Sequence, residues 1–346
     1  MMGQTGGRGD GRVRGGVTIV DVARRAGVSV STVSRVMNGR PDVSERTRRQ
    51  VMEAAAALGY VMRDAARNLA SSTQLVAILV QDFADEWMAR VLRGVGSEIE
   101  RWGYMAALFT VGSSRERRAR SVEWLAGWGE AAGMLAVLPA DGGLLEGAVG
   151  RLPVAIVDDG TAGLEVPRVL CPDREGGYRG TKHLLELGHC RIGFLMGIPE
   201  MNAARERLAG YRRALAESGV PEGPVVAGDF TRESGRAAGR ELLAGEMPTA
   251  VFASSDHMAL GLIEAVREAG VRVPEDLSVV GYDGLPVAAE NRLTTVDPLL
   301  HEIGSEAVKL LAEQIQAERP LPAKRVEIPP RLVVRETTAP PGRGEP

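Results

Sequence analysis

Thr18-Ile-Val-Asp-Val-Ala-Arg-Arg-Ala-Gly-Val-Ser-Val-Ser-Thr-Val-Ser-Arg-Val-Met-Asn-Gly39 decides how the N-terminal part of this chain folds. Ile19, Val22, Ala23 and Ala26 recur at i, i+3, i+4 and i+7, the apolar face of a short helix. Val33, Val36 and Met37 form the face of a second one. Between them Gly27 suits a turn position with positive φ, and Ser29 can cap the second helix. Thr18 followed three residues later by Asp21 reads as a capping box for the first helix. This is the pattern of a helix-turn-helix, although an αα-hairpin in a core would share it. Val30, Ser31, Thr32, Ser34, Arg35 and Asn38 remain exposed on the second helix. They are short or forked side chains suited to base edges and phosphates.

The next residues make the reading specific. Val43-Ser44-Glu45-Arg46-Thr47-Arg48 opens a third helix running through Val51, Ala54, Ala55 and Leu58, and Ala66-Arg67-Asn68-Leu69 comes after it. The run resembles the lactose-repressor (LacI) family of bacterial transcription regulators, and the resemblance continues almost to the C-terminus. It implies a three-helix headpiece over 17–62 and a hinge helix over 63–72 that folds on DNA. In that family a leucine at the position of Leu69 wedges into the minor groove at the operator centre. The expected DNA-contacting set is therefore Thr18, Ser29, Val30, Ser31, Thr32, Ser34, Arg35, Asn38, Arg67 and Leu69. One departure is Met62-Arg63, where the family usually has Pro-Asn before the hinge helix. Asp64 is then the candidate cap.

Charge agrees with this division. Residues 1–72 hold 12 Arg, no Lys and 6 Asp plus Glu, whereas the remainder holds 30 Lys plus Arg against 39 acids. The basic excess is confined to the helix-turn-helix segment, as an electrostatic DNA footprint requires. No apolar run reaches the length of a membrane span, and the N-terminus lacks the apolar segment of a secretory signal. A cytoplasmic protein is expected. Residues 1–16, rich in Gly and Arg, read as a disordered tail. Cys171 and Cys190 have no metal-ligand spacing and read as buried reduced thiols. His183 and His189 stand six apart in a stretch that reads as helical, hence on different faces. Neither a metal nor a cofactor is expected.

Beyond residue 72 apolar strands alternate with amphipathic helices. Strands are expected at 75–80, 105–111, 134–138, 154–157, 166–170, 192–196, 225–226, 250–253 and 277–282. Helices are expected at 88–102, 181–187, 203–218, 234–243, 258–269 and 303–316. Such alternation gives parallel βαβ units with right-handed crossovers, and their number calls for two doubly wound lobes. The fold class is thus α/β: a helix-turn-helix headpiece and hinge helix, then two doubly wound parallel-sheet lobes. The resemblance implies lobes of periplasmic-binding-protein type over 73–338, with the chain crossing between them near 171, 297 and 328. Residues 339–346 read as a loose tail.

Ligands of open α/β sheets bind beyond the C-terminal strand ends. The resemblance places an effector there, and Trp87, Arg205, Phe230, Ser255, Asp256 and Asp283 are the expected contacts. Trp87 would stack on a flat apolar face, with lobe packing as its rival, and core packing is the rival for Phe230. Arg205 would donate to hydroxyls or carboxylates, with Arg207 as the competing candidate. Asp256 and Asp283 would accept from polyol hydroxyls. Family members usually show Asn-Asp at 255–256 and Asp-Asp at 283–284, where this chain has Ser255 and Gly284. Catalytic motifs are missing: there is no Gly-x-Ser-x-Gly elbow, and Gly177–Lys182 misses the P-loop spacing.

The expected function is a sequence-specific regulator, a repressor, whose operator affinity is set by a sugar or related metabolite between the lobes. It would act as a homodimer or dimer of dimers on a near-palindromic operator. Two alternatives stand beside it. One is a regulator of the same fold answering to a partner protein or to no ligand. The other is a solute-binding protein or enzyme with an appended DNA-binding module.

Overall fold

The computed structural model describes residues 17–37, 40, 42–58, 60, 74–81, 86–111, 114–137, 142–157, 163–319 and 321–342. Asn38, Arg67, Leu69, Met62-Arg63, Asp64 and the tail at 1–16 lie outside the described residues. Contacts divide the chain after Thr73 into two units.

In the first unit, α1 (Ile19–Ala26), α2 (Val30–Met37) and α3 (Glu45–Leu58) bury Val22, Ala23, Ala26, Val33, Val36, Val51, Ala54 and Ala55 against one another. The capping box of α1 is present in full, with Thr18 and Asp21 exchanging backbone and side-chain bonds. Gly27 ends the helix in the left-handed conformation at φ 64°. These local devices fix the short α1–α2 turn.

The second unit contains two six-stranded sheets. The first lobe has β1 (Leu75–Val80), β2 (Met105–Thr110), β3 (Ala131–Val137), β4 (Val154–Val157), β5 (Arg168–Leu170) and β11 (Arg325–Glu327). Their order, β11-β5-β4-β3-β1-β2, is parallel throughout. α4 (Glu86–Arg101), α5 (Arg115–Gly127), α6 (Gly142–Leu145) and α12 (Leu300–Gln316) accompany it. The second lobe has β6 (Ile192–Met196), β7 (Val225–Ala227), β8 (Ala250–Ala253), β9 (Ser278–Tyr282), β10 (Thr294–Asp297) and β12 (Arg331–Val333). Only β12 there runs antiparallel, in the order β12-β10-β9-β8-β6-β7. Its helices are α7 (Asp173–Glu186), α8 (Asn202–Ser218), α9 (Arg232–Ala244), α10 (Asp256–Glu268) and α11 (Pro286–Glu290).

The chain passes between lobes after β5, after β10 and after β11, which puts the three crossings at 171–172, 298–299 and 328–330. Two of them are tied together. Asp297 accepts from the backbone N–H of Leu299 at 2.9 Å and from Arg331 at 3.0 Å. Arg179 donates to the carbonyl of Pro330 at 2.6 Å.

Three expectations need correction. The segment from Thr338 to Gly342 is no loose tail: the Ser278 hydroxyl donates to the Ala339 carbonyl at 2.9 Å, and His189 binds that carbonyl too, at 2.9 Å. Residues 343–346 lie outside the described set. His183 and His189 do not share a helix, because α7 ends at Glu186. Both imidazoles instead meet the C-terminal segment, His183 through the hydroxyl of Thr338 at 3.0 Å. Cys190, expected to be buried, is exposed, while Cys171 is half-buried.

Candidate functional site

On α2 the exposed side chains are Val30, Ser31 and Arg35, with Thr32 and Ser34 half-buried. Ser29 caps the helix, its Oγ accepting the backbone N–H of Thr32 at 3.1 Å. Its hydroxyl also lies 2.8 Å from those of Ser31 and Thr32, so the helix N-terminus presents a cluster of hydroxyls. Arg35 meets Asp42 at 3.7 Å with both side chains more than half exposed, a weak pairing that a phosphate or base edge readily replaces. Thr18 is committed to its capping box. Arg48, on α3, donates to the carbonyl of Arg40 at 2.7 Å and braces the segment after α2.

In the second unit a cavity of about 370 Å³ opens between the two sheets, at the C-terminal ends of their strands. Trp87, Phe230, Ser255 and Asp283, all expected ligand contacts, line it. The sheet geometry explains this: Asp283 directly follows β9, Ser255 is the second residue after β8, and Phe230 the third after β7. Four non-glycine residues of the described chain have positive φ; two of them, Phe230 at 69° and Asp283 at 107°, line the cavity, and Leu299 at 61° stands between Pro298 and Leu300, which line it too. Such backbone persists only where surroundings impose it, and it gathers at binding sites. The Ser255 hydroxyl donates to the Phe230 carbonyl at 3.1 Å and accepts from the Met258 N–H at 3.2 Å, holding that turn while capping α10.

Two expected contacts fall elsewhere. Arg205 points away from the cavity and donates to the carbonyls of Pro199 and Glu200 at 3.1 and 2.6 Å. The competing candidate, Arg207, lines the cavity and is only 6% exposed. Its Nε donates to Asp173 at 2.7 Å and its Nη1 to the Ser254 carbonyl at 2.5 Å. Asp283 lies 3.5 Å from the same Nη1, and the Tyr282 ring lies 3.7 Å under the guanidinium carbon. Burial works against the charge, but Asp173, Tyr282 and Asp283 outweigh it and hold the guanidinium above its ordinary value. Asp256 lies behind the wall, fully buried, and contacts no ligand space. Its oxygens accept from the Leu285 N–H at 2.8 Å and the Thr295 hydroxyl at 2.5 Å.

The matched sequence profiles agree with both units. Residues 18–62 match the bacterial regulatory proteins of the lacI family, and residues 181–338 match the periplasmic binding protein-like domain. The HTH-type transcriptional repressor PurR of Vibrio campbellii is 36% identical over 330 residues, covering 92% of this chain and 98% of that protein. The chain belongs to the lacI family. Catabolite control protein A of Priestia megaterium is 32% identical over 335 residues, covering 93% of this chain and 99% of that protein. Among solved structures, the transcriptional regulator CelR–cellobiose complex is 35% identical, with a TM-score of 0.68 over 93% of this chain and 99% of that one. The lac repressor dimer bound to operator and the anti-inducer ONPF is 30% identical, with a TM-score of 0.75 over 94% and 100%. These relatives are regulators, not enzymes.

Within a lacI-family core, one departure at the cavity edge acquires a physical reason. Gly284, where the family usually has Asp, sits at φ 62°, and a Cβ there would come within 2.6 Å of the Asp297 carboxyl carbon. Residues that sequence reasoning left out of the ligand set are Asp173, Asp229 and His257, all on the wall. His257 Nε2 stands 3.5 Å from Glu86 Oε2, so a contact between the two lobes closes beside the cavity. Arg90 of α4 makes a second one, to the carbonyl of Gly284.

Asp256 yields a pH prediction. Burial pushes its carboxyl from 3.8 up to about 7, against the hydrogen bonds from Thr295 and Leu285 and the nearby Arg335. A folded value above the unfolded one means that the native state binds the extra proton. This contribution to stability is present below pH 3.8 and lost as pH rises through about 7. Asp256→Asn keeps an acceptor for Leu285 and a donor for the Thr295 oxygen without the charge. Its melting temperature relative to wild type is expected to climb between pH 4 and pH 8. A difference independent of pH would show that Asp256 is not the titrating group.

Proposed function

We propose that this protein is a repressor that binds a near-palindromic operator as a homodimer, with operator affinity set by a neutral hydroxylated metabolite held in the cavity. The observation that carries it is the pairing, in one lacI-family chain, of an exposed, capped second helix with a cavity walled by both lobes. Trp87 and Phe230 offer flat apolar faces to such a ligand. Arg207, Asp173 and Asp283 offer the forked donors and acceptors that vicinal hydroxyls need. Cellobiose and ribose accompany solved relatives, which fits a sugar-sized ligand here.

DNA contact is assigned to Val30, Ser31, Thr32, Ser34 and Arg35 on α2, with Ser29 and Thr18 at helix N-termini, and to Asn38, Arg67 and Leu69. Closure of the lobes on ligand would bias the hinge segment between order and disorder, a two-state coupling. The second copy is assigned to the edge strand β2, where Met105 and Leu108 are 49% and 43% exposed. An exposed apolar strand edge invites pairing unless something covers it. Among the described residues no helix is long and apolar enough to cross a membrane, and a cytoplasmic location accords with a role on DNA.

Arg35→Ala tests the DNA half. Losing a specific contact costs about 1–3 kcal/mol, so operator affinity should fall tenfold or more by anisotropy at physiological salt. The headpiece core does not involve Arg35 and should melt as before. Unchanged affinity would mean that α2 is not the reading helix.

A further inference from the structure

We propose that Asp173 sets the charge of the ligand the cavity accepts, excluding phosphorylated and carboxylated compounds in favour of neutral polyols. This rests on the reading of the cavity as an effector site. A buried arginine in a binding cavity would ordinarily attract anions through its planar fork. Here that capacity is already used. Asp173 opens α7 just after the first crossing and takes the Nε of Arg207 at 2.7 Å, with side-chain exposures of 17% and 8%. Asp283 stands on the other side of the guanidinium at 3.5 Å, and Tyr282 covers its face at 3.7 Å.

The rest of the described wall adds no compensating cation. Asp229 is a third carboxylate, held below its ordinary value by hydrogen bonds from Thr231 and Ser234, and so charged. His257 faces Glu86. An anion reaching Arg207 would therefore meet carboxylates on both flanks, in a site shielded from solvent screening. A neutral hydroxyl would find both donors and acceptors. Asp173 is the tighter of the two partners, and its position at a helix N-terminus favours its negative charge.

Asp173→Asn in the full-length protein removes the charge while keeping an acceptor for the Arg207 Nε. Inorganic phosphate is the probe, measured by thermal shift against chloride at equal ionic strength. Asp276→Asn, which removes an exposed carboxylate away from the cavity, measures the general effect of phosphate on stability. The Asp173 variant should show saturable stabilisation with an apparent Kd at least tenfold below that of wild type and of Asp276→Asn. Asp173→Ser serves the same comparison if the amide variant does not fold. Equal phosphate responses in all the proteins, or a wild-type Kd for phosphate within tenfold of the Asp173 variant's, would overturn the assignment. A blank against neutral sugars would instead count against the effector reading, since the phosphate comparison needs no effector.

Discussion

Arg207→Ala is expected to abolish ligand binding in the cavity and to destabilise the two-lobed core. The side chain is enclosed by Asp173, Asp283, the Ser254 carbonyl and the Tyr282 ring. Truncating it leaves two carboxylates facing each other without their shared cation, a loss of about 3 kcal/mol by comparison with other broken buried pairs. Arg205→Ala, two residues earlier, removes only exposed bonds to loop carbonyls and should change neither property. Calorimetric melts and ligand titrations of the two variants form one experiment. Equal behaviour of the two would remove Arg207 from the site.

The second large effect is steric and lies in α4. A Cβ on Gly94 would sit 1.9 Å from the carbonyl oxygen of His301, and one on Gly304 would sit 2.2 Å from that of Val91. The two glycines let α4 and α12 meet backbone to backbone, and both helices start at the cavity, at Glu86 and Leu300. Between them Glu98 is buried and accepts from Ser305 at 3.0 Å and from the Trp102 indole at 3.0 Å. Alanine normally stabilises a helix interior relative to glycine by about 1 kcal/mol. Gly94→Ala should reverse that sign and cost about 3 kcal/mol, because the neighbour is backbone and only a shift of the whole helix relieves it. Gly96→Ala, on the same helix with nothing within 4 Å of its Cβ, should keep the usual sign. A melting temperature raised by both substitutions would refute the close helix contact.

Close-contact glycines also leave no periodic signal in the sequence. Strands with continuous apolar runs, such as Leu75–Val80, Val154–Val157 and Ala250–Ala253, were legible because burial on both faces leaves no other composition for them. Helix α7 is expected only from Thr181, yet it begins at Asp173. Its first half contains Gly176, Gly177 and Gly180, which read as loop by propensity. Tertiary contact overrides that: a Cβ on Gly177 would meet the Arg207 carbonyl at 2.1 Å. β10 gives no strand signal because Thr294-Thr-Val-Asp297 looks polar, although every residue in it is buried. Its hydroxyls are spent on Asp256, Thr338 and the Arg335 N–H. β11 and β12 are three residues each, too short for any periodicity to register.

At the cavity, strand ends carry the useful signal. Phe230, Ser255 and Asp283 stand just beyond β7, β8 and β9, and that position is enough to single them out. Of the two candidate arginines only Arg207 lines the cavity, and the sequence holds the reason. Arg207 belongs with Ala204, Leu208 and Tyr211, all buried on one face of α8, whereas Arg205 falls on the exposed side. Asp256 lies off the wall for a different reason. Residues just beyond a strand end can turn either to the ligand or back under the sheet, and only packing against Leu285 and Thr295 decides which.

Binding of the full-length protein to a DNA site selected from a random pool, with and without neutral sugars, tests the central claim most directly. The sugars are chosen by thermal shift, where a ligand at 100 times its Kd adds about 2.7 kcal/mol. The account predicts a near-palindromic selected site and at least a tenfold change in its affinity when the stabilising sugar is added, a change that Arg207→Ala abolishes. An operator affinity indifferent to every stabilising sugar, or a response that survives in Arg207→Ala, would contradict it.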